Sequence, residues 1–133
     1  MYCIVLFFVL YLQRIKRIVM NLENTKAQMR KGVLEFCILS LLANHEAYTS
    51  EIIGTLKESE LLVVEGTVYP LLTRLKNDGL LNYRWEESTG GPPRKYYKIT
   101  PLGEEFLSEL KKTWNQLVSA VENTTKVASD ENA

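Results

Sequence analysis

The sequence predicts a mainly α-helical fold with a small β-hairpin wing and one long helix at the C-terminal end. Apolar residues recur at helical spacing in several segments on both sides of Gly79. Two short segments of alternating apolar and polar residues follow at 81–86 and 94–100, separated by a Ser/Thr/Gly/Pro turn. A helix, a glycine, a strand, a basic turn and a second strand in this order are typical of a winged helix-turn-helix.

The first two helices are expected at about 29–44 and 49–61. The first is apolar almost all round between Val33 and Leu42, which predicts contacts on two sides. One side can cover the domain core and the other a partner subunit. Thr49 is a favourable N-cap for the second helix.

The third helix, beginning at about 65–67, has one apolar face and one face that packing does not require. Its apolar residues are Val68, Leu71, Leu72 and Leu75. The other face is expected to contact DNA through Thr67, Tyr69, Thr73, Arg74 and Asn77. The same face is also compatible with ordinary solvent surface, and the Tyr69 ring is equally compatible with capping the core. Gly79 is expected to end the helix in the left-handed conformation.

The hairpin carries two adjacent cations beside its turn, Arg94 and Lys95. Basic side chains at the tip of a hairpin can follow the phosphate backbone towards the minor groove, so both are expected to contact DNA. The alternative is that the turn is only a loose connector. On the strands, Leu81, Tyr83 and Trp85 are expected to form a half-buried face.

The last helix is expected at 101–127, with Thr100 as N-cap and Pro101 in the first position. Its apolar residues form a stripe that a small winged domain has too little surface to cover. The helix is therefore expected to form a two-fold dimer. The dimer residues expected are Phe106, Leu110, Trp114, Leu117 and Val121. Residues 128–133 are expected to be a disordered tail.

Composition limits the classes of function. The charges of the sixteen basic and sixteen acidic residues cancel overall. Between residues 67 and 98, however, there are six cations and only three anions, which indicates a local basic surface. Cys3 and Cys37 cannot form a disulfide framework, and His45 is the only histidine. No cofactor, metal site or catalytic constellation is expected, so the protein is not expected to be an enzyme.

The segments YPLLTRLKNDGLL and RKYYKITPLG resemble the PadR family of bacterial transcriptional regulators. The similarity extends from about Met29 to about Thr125 and fits the short branch of that family, which lacks a separate C-terminal domain. The resemblance implies a winged-helix DNA-binding domain within 20–100. It also implies a cytoplasmic homodimeric repressor that binds a palindromic operator in double-stranded DNA and is released by a small molecule or a stress signal.

The resemblance also implies a ligand site. Trp114 lies fourteen positions after Thr100, as does an aromatic residue that sandwiches planar aromatic ligands in multidrug-sensing members of the family. Trp114 and Phe36 are therefore the expected pocket residues. Lys111 and Lys112 depart from those members, and Trp114 is equally compatible with a purely structural role in the dimer.

Residues 1–19 form an apolar leader that is expected not to belong to the fold. Its apolar run at 2–12 is shorter than the roughly 20 residues that a membrane-spanning helix requires. Met20 opens a plausible cytosolic start, so no membrane contact is expected unless residues 1–19 are expressed. Two alternatives to the repressor remain: a membrane-tethered regulator that uses this leader, and a winged-helix protein-interaction module without DNA affinity.

Overall fold

The computed structural model describes residues 1–61 and 63–131, which form four α-helices and one three-stranded sheet. The elements in chain order are α1 (Tyr2–Asn44), β1 (Ala47–Tyr48), α2 (Thr49–Glu58), α3 (Glu65–Asn77), β2 (Leu81–Glu86), β3 (Arg94–Ile99) and α4 (Pro101–Glu131). The sheet is antiparallel with the order β1-β3-β2. The predicted winged helix with a long C-terminal helix is therefore confirmed, and β1 is an element that the sequence pattern did not predict.

One hydrophobic core joins the four helices to the sheet. It receives Leu34, Ile38, Leu39, Leu41 and Leu42 from α1, Ile52, Ile53 and Leu56 from α2, Val68, Leu72 and Leu75 from α3, and Leu81, Tyr97 and Ile99 from the wing. From α4, the core receives Leu107, which is buried, whereas Phe106 beside it is exposed. The predicted apolar face of α3 is confirmed, because Val68, Leu72 and Leu75 are inaccessible to solvent.

The end of α3 sets the direction in which the wing leaves the helix. Gly79 has a φ of 81°, in the left-handed region that glycine adopts without strain. Its amide donates to the carbonyl of Lys76, and the amide of Leu80 donates to that of Leu75. These two bonds form a Schellman motif, as the glycine in the sequence predicted.

Thr100 fastens the start of α4 to this same turn. Its hydroxyl donates to the carbonyl of Gly79 and accepts a hydrogen bond from the amide of Gly103, which confirms Thr100 as the N-cap. Gly103 lies so close to Leu80 that a β-carbon there would collide with the Leu80 carbonyl. A glycine is therefore required where α4 crosses the end of α3.

Four expectations about element boundaries and faces need correction. Helix α1 begins at Tyr2 rather than near residue 29, so the leader 1–19 continues into the first helix. Helix α4 continues to Glu131, past the expected boundary at 127 into the expected tail 128–133, whose last two residues lie outside the described residues. Tyr48, not Thr49, is the N-cap of α2, and its amide donates to the Glu51 carboxylate. Finally, the predicted half-buried face of β2 is buried only at Leu81.

The first half of α1 makes no close packing with the domain. The residues from Met1 to Met29 are all exposed, including the apolar run at 2–12. Among the described residues, no helix combines the length and apolar content needed to cross a bilayer. Whether residues 1–19 belong to the functional fold stays a prediction.

Candidate nucleic-acid interface

The expected recognition residues of α3 lie on different sides of the helix. Thr73 and Asn77 are exposed on the side opposite the buried residues. Thr67 and Arg74 lie on the flank that faces α1, where both line a cleft between the two helices. Tyr69 is exposed and lies on the flank that faces the wing, near Tyr97. Only part of the expected set therefore shares one surface.

Arg74 is held by carboxylates on the α1-facing flank. Its Nη2 atom lies 2.9 Å from Oε2 of Glu35 on α1, and Nη1 lies 3.5 Å from Oδ2 of Asp78. The hydrogen bond to Glu35 is the main cause that raises the pKa of the Arg74 guanidinium. The charge of Arg74 is thus compensated within the chain.

The wing-facing flank carries cations that lie on aromatic rings. The ammonium of Lys76 lies 5.6 Å from the centre of the Tyr83 ring, and that of Lys95 lies 4.2 Å from the same centre. Lys95 also lies 5.2 Å from the ring of Trp85, which is 62% exposed. Among the ion pairs of the described residues, none includes Lys76 or Lys95. Cation–π contacts orient a cation without cancelling its charge.

The two adjacent cations of the wing point to opposite faces of the hairpin. In the register of β2 and β3, Lys95 lies opposite Trp85 and Arg94 lies opposite Glu86. Opposed residues share a face and successive residues alternate, so Lys95 lies on the α3-facing side and Arg94 on the other. There the Arg94 guanidinium lies 4.5 Å from the centre of the Tyr48 ring. Because they lie on opposite faces, Arg94 and Lys95 cannot both contact one phosphate.

Arg84 shares the face of Arg94 but is compensated. Its Nε lies 2.9 Å from Oε2 of Glu46, and its Nη1 lies 3.1 Å from Oε2 of Glu86. The hydrogen bond to Glu46 is the largest cause that raises the pKa of Arg84. Sequence analysis missed Lys76 and Tyr83 as parts of the candidate interface. The position of Lys76 in the last turn of α3, directly before the wing, is the signal that could have indicated it.

The apolar stripe of α4 is only partly covered within the chain. Phe106, Trp114, Leu117 and Val121 are 40–52% exposed, and Leu110 is half-buried. A groove of about 560 Å³ runs between this stripe and α1, and Trp114 is among its lining residues. Phe36 contacts Trp114 at a ring-centre distance of 6.1 Å but lines the neighbouring depression beside Cys37.

One donor at this groove has no partner. Arg30 lines the groove, and its Nε is buried without a hydrogen-bond acceptor among the described residues.

The described residues offer no metal site, and Cys37 is not a reactive thiol. Cys37 is half-buried and burial raises the pKa of its thiol, so it is a poor nucleophile at neutral pH. Within the described part of the chain, no three His, Cys, Asp or Glu side chains cluster in a way that could hold a metal ion.

Comparison with known proteins identifies the family. The family model described as "Transcriptional regulator PadR-like family" matches residues 38–109, more than half of the chain. The chain belongs to the PadR-like family. Members of this family are transcriptional regulators rather than enzymes, and the match covers the C-terminal end of α1 together with α2, α3, the wing and the start of α4. The resemblance noted in the sequence is confirmed.

Solved structures of family members support the same assignment. The chain is 62% identical to a PadR-like transcription factor from Bacteroides fragilis, with a TM-score of 0.64, and the match covers 75% of this chain and 97% of that one. A PadR-family regulator from Eggerthella lenta is 30% identical with a TM-score of 0.75, covering 81% and 95% of the two chains. A curated transcriptional regulator from Mycobacterium tuberculosis is 29% identical over 71% of this chain and 87% of its own length. The protein is therefore a winged-helix DNA-binding transcriptional regulator of the PadR family.

Proposed function

We propose that the protein is a cytoplasmic homodimeric repressor that binds a palindromic operator through α3 and the wing and is released by a small molecule. The observation that carries the DNA contact is the uncompensated basic surface formed by Lys76, Lys95 and Tyr83 beside the exposed side of α3. Thr73 and Asn77 on that exposed side are the proposed base contacts, and Tyr69 and Arg94 are proposed phosphate contacts. Their exposure leaves each within reach of a duplex.

Dimerisation is proposed to occur through the apolar stripe of α4. Side chains such as Leu117 and Val121 are about half exposed in the single chain, and their contact with a second copy would remove that apolar area from water. A two-fold dimer would present two α3 helices to half-sites about 10 base pairs apart. This spacing would account for recognition of a palindrome.

A single charged substitution tests the dimer and the operator contact together. Leu117→Asp would place an unpaired carboxylate in the apolar stripe, so we expect a monomer in sedimentation velocity. We also expect it to lose binding to a duplex selected from a random pool by the wild-type protein, because one half-site alone binds weakly. Asn115→Asp adds the same charge at an exposed position of the same helix and should leave both properties unchanged. A dimeric, operator-binding Leu117→Asp protein would contradict the proposed interface.

DNA binding by the wild-type protein also distinguishes a regulator from a protein-interaction module. Binding that weakens steeply with salt and prefers the selected duplex to mixed-sequence DNA supports the regulator. Weak, salt-insensitive association with any duplex would support the interaction module and would contradict the proposed function.

The effector is proposed to be a planar aromatic molecule that stacks on Trp114 in the groove between α1 and α4. The large apolar lining favours an aromatic ligand, and Arg30 is the one cationic residue among the described residues that line the groove. Typical coupling between two sites corresponds to about 5- to 150-fold weaker operator binding.

Fluorescence tests this site because the chain has only two tryptophans. Trp85→Phe leaves Trp114 as the single emitter. In that variant we expect a panel of flat aromatic cations and phenols to contain compounds that quench emission and weaken operator binding. In Trp114→Ala both effects should vanish. If operator release persists in Trp114→Ala, Trp114 is a structural residue of the stripe and the proposed effector site is wrong.

A further inference from the structure

The ion pair between Arg74 and Glu35 joins the recognition helix to α1 over a sequence distance of 39 positions. It is exposed enough to exchange with another partner, since 52% of the Arg74 side chain and 28% of the Glu35 side chain remain accessible. Asp78 contacts the same guanidinium from within α3 at the longer distance of 3.5 Å. Exposed ion pairs of this kind are individually weak, so neither contact fixes Arg74 permanently.

The surroundings of Arg74 suit a phosphate group as well as a carboxylate. A guanidinium presents the same planar fork of donors to either anion, and both form charge-assisted hydrogen bonds. The solvent-open cleft beside Arg74 has a volume of about 480 Å³ and is also lined by Lys31 and Thr67. A phosphate of a duplex lying against α3 could therefore reach the guanidinium from the side that Glu35 leaves open.

We propose that Glu35 is a positioning residue that competes with a DNA phosphate for Arg74. In the free protein Glu35 holds Arg74 against α1, and on DNA binding a phosphate oxygen replaces the Glu35 carboxylate. The wild-type protein thus offers DNA less positive charge from α3 than the sequence suggests. This inference rests on the proposed function, because it concerns DNA binding by the same helix, α3.

Glu35 is adjacent in sequence to a residue that contacts Trp114. The next residue, Phe36, contacts Trp114 of α4. The carboxylate that competes for Arg74 and a ring beside the proposed effector groove therefore lie in the same turn of one helix.

The test measures binding of the full chain to a mixed-sequence duplex of about 30 base pairs as salt is varied, which counts phosphate contacts without a known operator. Glu35→Gln keeps the shape of the side chain but removes its charge. We expect the dimer to bind about 2- to 30-fold more tightly. This range corresponds to the free energy of two exposed ion pairs, one in each subunit. The plot of log K against log salt should steepen by up to about 1.8 units per dimer, because in the wild type each displaced Glu35 carboxylate takes up cations and offsets the counterions that the phosphate at Arg74 releases.

Two comparisons separate competition from a general effect of charge. Glu109→Gln is a control for the loss of one carboxylate, because Glu109 pairs with Lys112 at 3.0 Å on α4, outside α3 and the wing. It should change binding less than 2-fold, within the effect of a weak exposed pair. In an Arg74→Gln background, Glu35→Gln should no longer tighten binding. Asp78→Asn should act in the same direction as Glu35→Gln but more weakly, and it provides a second variant in which the contact between α3 and α1 is unchanged.

The outcomes are distinct. If the wild-type protein fails to bind duplex DNA in a salt-dependent way, the proposed function itself fails. If the wild type binds and Glu35→Gln weakens binding while circular dichroism shows an intact fold, Glu35 supports Arg74 rather than competing for it, and the inference is wrong. An equal gain in the Arg74→Gln background would also overturn it, because the effect would then be one of general repulsion between the carboxylate and DNA.

Discussion

The two flanks of α3 carry similar basic residues in the same helical turn but differ in the charge they offer to a partner. Lys76, on the wing-facing flank, lies over the ring of Tyr83 and keeps its charge. Arg74, on the α1-facing flank, lies between Glu35 and Asp78. Only Leu75 separates them in the sequence. The difference shows that the basic character of a recognition helix depends on its neighbours in space, not only on its own residues.

The largest expected effect comes from removing the uncompensated cations of the wing-facing flank. The double variant Lys76→Ala and Lys95→Ala should remove up to four phosphate contacts per dimer. The plot of log K against log salt should then flatten by up to about 3.6 units, at about 0.9 per contact. The measurement is fluorescence anisotropy on a labelled duplex across a salt series. An unchanged slope would show that the cation-bearing rings of the wing do not face DNA.

The fold of this chain could be predicted from local patterns because each pattern maps onto one element. The apolar spacing of Val68, Leu72 and Leu75 predicted the buried side of α3, and all three are buried. Gly79 and Thr100 predicted the ends of two helices, since the left-handed turn and the N-cap depend on residue type at single positions. Such signals need no knowledge of distant contacts.

The parts that could not be predicted depend on contacts between distant segments. The alternation in β2 predicted Trp85 to be half-buried, but the strand extends beyond the core and leaves this side chain 62% exposed. Strand β1 has only two residues, too few for a periodic pattern, and is defined by its pairing with β3. The partner of Arg74 is likewise invisible in the local sequence, because Glu35 belongs to another helix.

The two faces of the wing provide the next test. Arg94→Ala alone should flatten the salt dependence by up to about 1.8 units if both wing tips of a dimer contact phosphates. Lys95→Ala should produce the same change if the α3-facing side contacts DNA. Because the two residues lie on opposite faces, we expect the two substitutions to remove protection at different positions of the DNA backbone in hydroxyl-radical footprints. Identical footprints would contradict the assignment of the two cations to separate contacts.

The smallest expected effect concerns Arg74 and gives the most direct comparison of the flanks. Lys76→Ala should flatten the salt dependence by up to about 1.8 units per dimer, because an uncompensated cation releases counterions from DNA when it binds. Arg74→Ala should flatten it by less than half as much, because a phosphate at Arg74 replaces a carboxylate rather than joining a free cation. Both variants should be compared on the selected operator and on mixed-sequence DNA. A loss for Arg74→Ala of about 1–3 kcal/mol, confined to one operator base pair, would show instead that Arg74 contacts a base directly. In that case Arg74 leaves Glu35 for a base rather than for a phosphate, and the two flanks contribute comparably to recognition.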